Sequence, residues 1–148
     1  MIRPLIAPTP AELDALTELW EGSVRATHDF LSEKDIVFYR HLVRSEALGA
    51  VALHVCYESN GRPIAFLGME GDKIEMLFVA HDRLHRGLGR RMIEYAVSRC
   101  DARRVDVNEQ NTFATRFYTR MGFRILSRDA LDASGRPYPI LHLALSGE

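Results

Sequence analysis

Cysteine is scarce in this 148-residue chain, which carries only Cys56 and Cys100. Two thiols are too few for a disulfide scaffold, and no paired Cys/His spacing offers a zinc site, so no metal is expected. Cys56 falls in an apolar strand pattern and Cys100 at a helix end, where free cysteine is commonly packed and inert. Excess charge of one sign is also missing. Nineteen Lys and Arg face twenty Asp and Glu, a net charge of −1, so no global field draws in nucleic acid. No hydrophobic run approaches a membrane span, and Met1-Ile2-Arg3-Pro4-Leu5 lacks the apolar core of a signal peptide. A cytoplasmic protein with no membrane partner is the expectation. Repeats, low-complexity tracts and linkers are absent. With 47% apolar and 26% charged residues, residues 1–148 read as one soluble domain long enough to bury a core.

What the chain does contain is a basic, glycine-bearing turn. Arg86-Gly87-Leu88-Gly89-Arg90-Arg91, followed by Met92-Ile93-Glu94-Tyr95-Ala96, sets two glycines one residue apart at the mouth of an amphipathic helix. The strand-like run Ile74-Glu75-Met76-Leu77-Phe78-Val79 lies just upstream. Glycine lets a ligand approach the backbone closely. A helix N-terminus offers unpaired N–H groups and partial positive charge, to which Arg86, Arg90 and Arg91 add full charges. These are the needs of a pyrophosphate, although a tight turn with solvated arginines fits the same residues. A P-loop would end in Gly-Lys-Ser/Thr, and a dinucleotide fingerprint would place glycine where Met92 stands. Both fail, which leaves a phosphate-binding turn of another type. The wider basic cluster, Arg83 to Arg91 with Arg99, Arg103 and Arg104, has no interleaved aromatic platform, which disfavours nucleic acid.

Around this turn the pattern predicts alternating elements. Residues 2 to 6 can form a strand. Thr9-Pro10-Ala11-Glu12 is a capping box with proline at the first helical position, opening a helix to about Ala26 with Leu13, Leu16, Trp20 and Val24 on one stripe. Ser32 can cap a second helix with Ile36, Tyr39 or Arg40, and Val43 inside. Val51, Leu53, Val55 and Tyr57 alternate as in a strand. Asn60-Gly61 predicts a two-residue hairpin turn, and Pro63 to Met69 the return strand. Strand 73 to 79, a helix from Gly87 to Arg99, strand 104 to 107 and a helix from Thr112 to Met121 follow, with Gly122 as C-terminal cap. Strands near 123 to 128 and 139 to 145 close the chain. Antiparallel strands first and a β-α-β-α-β run later indicate an α/β layered domain with a mixed sheet.

A second segment identifies the turn. Asn108-Glu109-Gln110-Asn111-Thr112-Phe113-Ala114-Thr115-Arg116-Phe117-Tyr118-Thr119-Arg120-Met121-Gly122-Phe123 reads Asn-x-x-Ala-x-x-Phe-Tyr-x-x-x-Gly-Phe after the short strand Arg104-Val105-Asp106-Val107. It resembles the GNAT superfamily of acyl-CoA-dependent N-acetyltransferases, and the glycine turn resembles that family's pyrophosphate loop. The two motifs cover roughly residues 74 to 125 in the family's order. Ala26-Thr27-His28-Asp29-Phe30-Leu31 adds a likeness to small stand-alone bacterial members. The chain departs at Leu84, where the family has Gln or Arg, which removes one side-chain contact to the cofactor. The resemblance implies a single-domain α/β fold with a mixed, largely antiparallel sheet flanked by about four helices. It implies acetyl-CoA as acyl donor and an amine-bearing acceptor as the other partner. A homodimer is frequent in the family, and the oligomeric state stays open.

The implied chemistry distributes three tasks. An alkylammonium of pKa ~10 must lose its proton before it can attack. Glu75, on the strand leading into the phosphate loop, is the favoured base, directly or through water. Exposure or pairing with a basic group is its competing role. Main-chain groups of Leu77, Phe78 and Val79 would bind the pantetheine arm and polarise the acyl carbonyl. Arg86, Gly87, Leu88, Gly89, Arg90 and Arg91 would hold the pyrophosphate. Tyr118 occupies the family's tyrosine position, and a phenol of pKa ~10 can donate to a thiolate whose acid is near ~8.5; a buried aromatic is the alternative. Asn111 would bond the pantetheine arm, cap its helix, or both. His28 and Asp29, between the first two helices, border the acceptor channel by this resemblance, and His28 is an alternative base. Tyr138 and Arg136 would shape the same channel. The expected reaction is direct attack in a ternary complex, since neither cysteine shows an activated thiol. A non-catalytic acyl-CoA-binding sensor is the competing function. Peptide N-terminus, protein lysine, aminoglycoside, polyamine and free amino acid remain open as acceptors.

Overall fold

Local capping chemistry places the first helices. In the computed structural model, which describes residues 1–145, Thr9 and Glu12 satisfy each other's backbone N–H groups at 3.1 and 2.8 Å. This box opens α1, Pro10–Thr27, whose Leu16, Trp20 and Val24 are buried as the stripe predicts. Ser32 caps α2, Glu33–Leu42, through the Asp35 N–H at 3.1 Å. Its inner face carries Ile36 and Tyr39, while Arg40 reaches outward to Glu18 and Glu21. The sequence pattern did not signal the π-helical turn Val43–Ala47 and the 3₁₀ turn Leu48–Ala50 that follow. They bring both Val43 and Leu48 into the core.

Seven strands form one sheet: β1 (Ile2–Leu5), β2 (Ala52–Tyr57), β3 (Pro63–Glu70), β4 (Lys73–Val79), β5 (Arg104–Asn108), β6 (Phe123–Asp129) and β7 (Ile140–Leu145). Their order is β1-β2-β3-β4-β5-β7-β6. Every pairing is antiparallel except β4 with β5, because the connection between those two is a helical crossover. That crossover is α3, Leu88–Cys100, and α4, Thr112–Arg120, follows β5. One core lies between the sheet and α3 and α4, where Met92, Ile93, Val105, Val107 and Phe123 meet. The other lies between the sheet and α1 and α2, around Trp20, Ile36, Val55 and Phe66.

The β2–β3 hairpin differs from the predicted two-residue turn. The Glu58 N–H bonds the Arg62 carbonyl at 2.9 Å, and the Gly61 N–H bonds the Glu58 carbonyl at 2.9 Å. The loop is therefore Ser59-Asn60-Gly61, a turn followed by a left-handed residue, Gly61 at φ 89°, which is the usual three-residue solution.

A second irregularity builds the site. Gly68 pairs with Met76 but Met69 pairs with Ile74, so β4 carries one extra residue, Glu75, as a β-bulge. The bulge reverses the alternation: Ile74 enters the α3/α4 core and Met76 the α1/α2 core, although residues two apart on a regular strand share a face. Pairing of β4 with β5 stops at the same point, being limited to Lys73↔Arg104 and Ile74↔Val105. Beyond it the two strands splay.

Candidate active site

The splay opens two adjoining clefts. The larger, about 350 Å³, runs from the start of α3 to α4 and is walled by Leu77, Phe78 and Val79 of β4. The smaller, about 110 Å³, lies between the diverging strands and contains Glu75, Asp106 and Asn108. His28, Leu77, Phe78, Asn111, Ala114 and Tyr118 line both, so the clefts meet there.

Gly87 sits at the mouth of α3 with φ 78° and ψ 5°, and no side chain caps the helix. This left-handed conformation suits glycine. The first intrahelical bond is from the Arg91 N–H to the Gly87 carbonyl at 3.1 Å, and the N–H groups before it have no helical partner. Gly87, Gly89 and Arg90 line the larger cleft. At Gly89 an added Cβ would lie 3.4 Å from Phe117 Cζ, so bulk there projects toward the cleft wall. The side chains of Arg86 and Arg91 are exposed outside the lining, and that of Leu88 is buried at 6% exposure. Leu84 lines the cleft at the position noted above.

Arg83 and Arg120 also line this cleft. Arg83 is held by Glu58 at 2.6 Å and Asp82 at 3.2 Å. Phe113 and Phe117, four residues apart on α4 and therefore on one face, complete the wall. His85, at φ 63°, stands edge-on to Phe113 with ring centroids 5.3 Å apart. The sequence reading singled out none of these for the site, although the i, i+4 phenylalanines were a visible signal.

Tyr118 is 7% exposed, packed edge-on to Phe117 and Phe123. Among the described residues no protein group bonds its hydroxyl. Burial pushes its phenol well above the ordinary value, so it keeps its proton at neutral pH. Asn111 is 8% exposed and caps α4 through the Ala114 N–H at 3.0 Å. Its Nδ2 lies 3.3 Å from His28 Nε2.

That contact fixes the role His28 can play. The Thr27 hydroxyl donates to the Ser23 carbonyl at 2.8 Å, so toward His28 Nδ1, 2.8 Å away, it can only accept. His28 therefore carries its proton on Nδ1 and accepts from Asn111 through Nε2. Burial lowers its pKa to about 4, the Asp29 charge acting the other way. His28 thus ties the end of α1 to the start of α4 as a neutral imidazole with both nitrogens engaged. Asp29 is exposed and lines neither cleft. Arg136 and Tyr138 also lie outside both linings. Arg136 Nη1 bonds Asp35 at 2.8 Å, the Tyr138 hydroxyl bonds the same carboxylate, and the β6–β7 loop is thereby clasped to α2.

Glu75 is exposed at the smaller cleft, its Oε2 3.5 Å from Lys73 Nζ. Asp106 stands beside it, bonded by Lys73 at 2.7 Å and His142 at 2.7 Å. Cys100 does have an imidazole neighbour, His54 Nε2 at 3.6 Å. Burial raises the thiol pKa, His54 Nδ1 is taken by the Tyr95 hydroxyl at 2.8 Å, and the group lines neither cleft.

The residues fit acetyl-CoA in this chain's own terms: unpaired helix amides beside glycines at one end, an apolar wall, and a strand edge at the other. Comparison with known proteins agrees. A family model described as an acetyltransferase (GNAT) domain matches residues 28–134. The peptidyl-lysine N-acetyltransferase YjaB of Escherichia coli strain K12 is 38% identical over 136 residues, 92% of each chain. Its counterpart in Salmonella typhimurium is 36% identical over 132 residues, covering 89% of this chain and 90% of that one. The solution structure of apo YjaB from Escherichia coli superposes with a TM-score of 0.88 over 100% of this chain and 98% of that one, at 36% identity. The PaiA N-acetyltransferase of Thermoplasma acidophilum, in complex with coenzyme A, shares the fold with a TM-score of 0.71 at 17% identity, over 99% and 98% of the two chains. This chain belongs to the GNAT family of acetyl-CoA-dependent N-acetyltransferases.

Proposed function

We propose that this enzyme acetylates the side-chain amine of protein lysines, by direct attack on acetyl-CoA in a ternary complex. The observation that carries the reading is the meeting of two clefts at Tyr118 and Asn111. One is long and apolar enough for a pantetheine arm. The other opens between splayed strands past carboxylates, as an alkylammonium on a flexible stem requires. The named relatives are peptidyl-lysine N-acetyltransferases, which supports lysine over the other amines.

In this scheme the first amides of α3, with Gly87, Gly89 and Arg90, hold the pyrophosphate. The unpaired edge of β4 at Leu77–Val79 and the Asn111 side chain hold the pantetheine arm and polarise the acyl carbonyl. Glu75 receives the amine's proton, directly or through water. The neutral nitrogen attacks, and as the tetrahedral intermediate collapses Tyr118 donates its proton to the departing thiolate. His28 supports Asn111 rather than acting as base, because its Nε2 lone pair is already engaged.

The test is release of free CoA thiol with a panel of amines, followed by mass spectrometry of the product. Expected is acetylation at a lysine side chain of a peptide whose N-terminus is blocked, and none of the same peptide with norleucine in place of lysine. Turnover confined to polyamines or free amino acids would overturn the lysine assignment. CoA binding with no thiol release from any amine would overturn catalysis.

A further inference from the structure

Behind the smaller cleft lies a chain of charged groups that the scheme above leaves unused. Asp106 lines the cleft and points away from the α3/α4 core, since its neighbours Val105 and Val107 fill that core. Its Oδ2 is 2.7 Å from Lys73 Nζ and its Oδ1 2.7 Å from His142 Nδ1. The other ring nitrogen of His142 lies 2.7 Å from Asp129 Oδ2. Asp129 ends β6, and its side chain is 70% exposed. A line of contacts therefore runs from the cleft wall to open solvent across three strands. It depends on register: His142 is paired with Asp106 on one side and Ser127 on the other.

A neutral imidazole has one N–H and can serve one carboxylate; serving two requires the imidazolium. Both carboxylates hold His142 above its ordinary pKa, Asp129 contributing most and Asp106 next. The groups sharing this sheet face are Asp106 and Arg104 on β5, Lys73 and Glu75 on β4, and Arg124 and Asp129 on β6. Arg104 is itself paired with Asp72 at 2.9 Å. With His142 charged, Asp106 is balanced by two cations, yet its carboxylate still faces the cleft.

We propose that Asp106 receives the acceptor's ammonium group in the smaller cleft, and that His142, anchored by Asp129, is a positioning residue that aims Asp106 and sets the charge of that cleft. This rests on the lysine-acceptor reading. It assigns the two carboxylates different work: Asp106 docks the cation, and Glu75 takes its proton. Loss of the proton from His142 leaves the cleft one charge more negative. That holds the ammonium more tightly and in its non-nucleophilic form, so KM for the amine and kcat both fall as His142 titrates.

Two measurements test it. Kinetics with the lysyl peptide should show KM for the peptide raised tenfold or more in Asp106→Asn, with CoA binding unchanged. His142→Gln should remove the inflection in kcat that His142 imposes, and Asp129→Asn should move it to lower pH. An unchanged KM in Asp106→Asn, or an unmoved inflection in both other variants, overturns the proposal. Independently of turnover, NMR titration of the His142 ring in the unmodified protein with CoA should respond to Nα-acetyl-lysine amide and not to the norleucine amide. Equal or absent responses overturn it as well. A wild-type enzyme that ignores lysyl peptides while its His142 ring still senses the lysine amide would refute the function proposed above and keep this assignment. Lysine turnover with an indifferent His142 ring would do the reverse.

Discussion

Acidification should expose the role of His28. The imidazole is neutral in the fold because burial lowers its pKa to about 4 from an ordinary 6.5. A group whose folded pKa is depressed prefers to be unprotonated in the native state. Its contribution is present above pH 6.5 and is lost as pH falls toward 4. Linkage between those two values gives a loss of about 2.5 kcal/mol between pH 7 and pH 4.5 from this residue alone. Urea unfolding at the two pH values, in the wild type and in His28→Gln, isolates it. The substitution has its own cost, since it disturbs the bonds to Thr27 and Asn111, but that cost is present at both pH values and cancels in the difference. Contributions of other groups cancel likewise. His54, lowered by burial, acts with the same sign in both proteins. His142, raised by its carboxylates, acts with the opposite sign in both. The wild type should lose about 2.5 kcal/mol more than the variant. Equal losses would refute the buried, neutral imidazole, and with it the argument that His28 is a strut rather than a base.

Two further outcomes follow from the cofactor cleft. Tyr118→Phe removes a hydroxyl that no protein group bonds and leaves the buried ring, so kcat should fall about 10²-fold or more with CoA affinity unchanged, the pattern of a group acting only in the transition state; binding is checked by titration calorimetry. Gly89→Val and Gly87→Val should separate space from conformation. The first projects toward Phe117 and should abolish thermal stabilisation by CoA while the fold holds. The second meets nothing within 4 Å but must adopt φ 78°, and should lower stability by about 1–2 kcal/mol in urea unfolding without CoA.

How much of this was legible in the sequence depended on whether the signal was local. The capping boxes at Thr9 and Ser32, the cap at Asn111 and the glycine at 87 are chemistry within four residues, and each stands where the pattern placed it. The alternation of residues 73 to 79 reads as a continuous strand, so the extra residue in β4 was invisible. A bulge is defined by the partner strand, and Gly68 and Met69 are separated from it by a turn. The hairpin at Asn60-Gly61 was shifted by one residue for the same reason. The arginines of the phosphate turn were counted as charge, but helix orientation decides which reach the cleft: Arg90 lines it and Arg91 does not. Asp106 and His142 lie 36 residues apart, and nothing short of strand register brings them together.

The bulge is the step at which fold becomes chemistry. A regular β4 would keep Ile74 and Met76 on one face and continue its ladder with β5, closing the gap between them. One inserted residue prevents both. It sends Ile74 and Met76 into opposite cores, which commits the strand to this register through burial on each side. It also ends the parallel pairing at Ile74↔Val105, so the backbone groups of Glu75–Val79 that would have met β5 face a cleft instead. Buried backbone groups require partners, and an acyl-pantetheine carries amides and a carbonyl that can supply them. Gly68, opposite the bulge, is compatible with it because a Cβ there would come within 2.7 Å of Val51 Cγ2. The residue inserted is a carboxylate at the mouth of the gap that its own insertion creates. The β4 edge, the opening to β5 and the candidate base thus have a single structural cause, and the parity of Ile74 and Met76 records it.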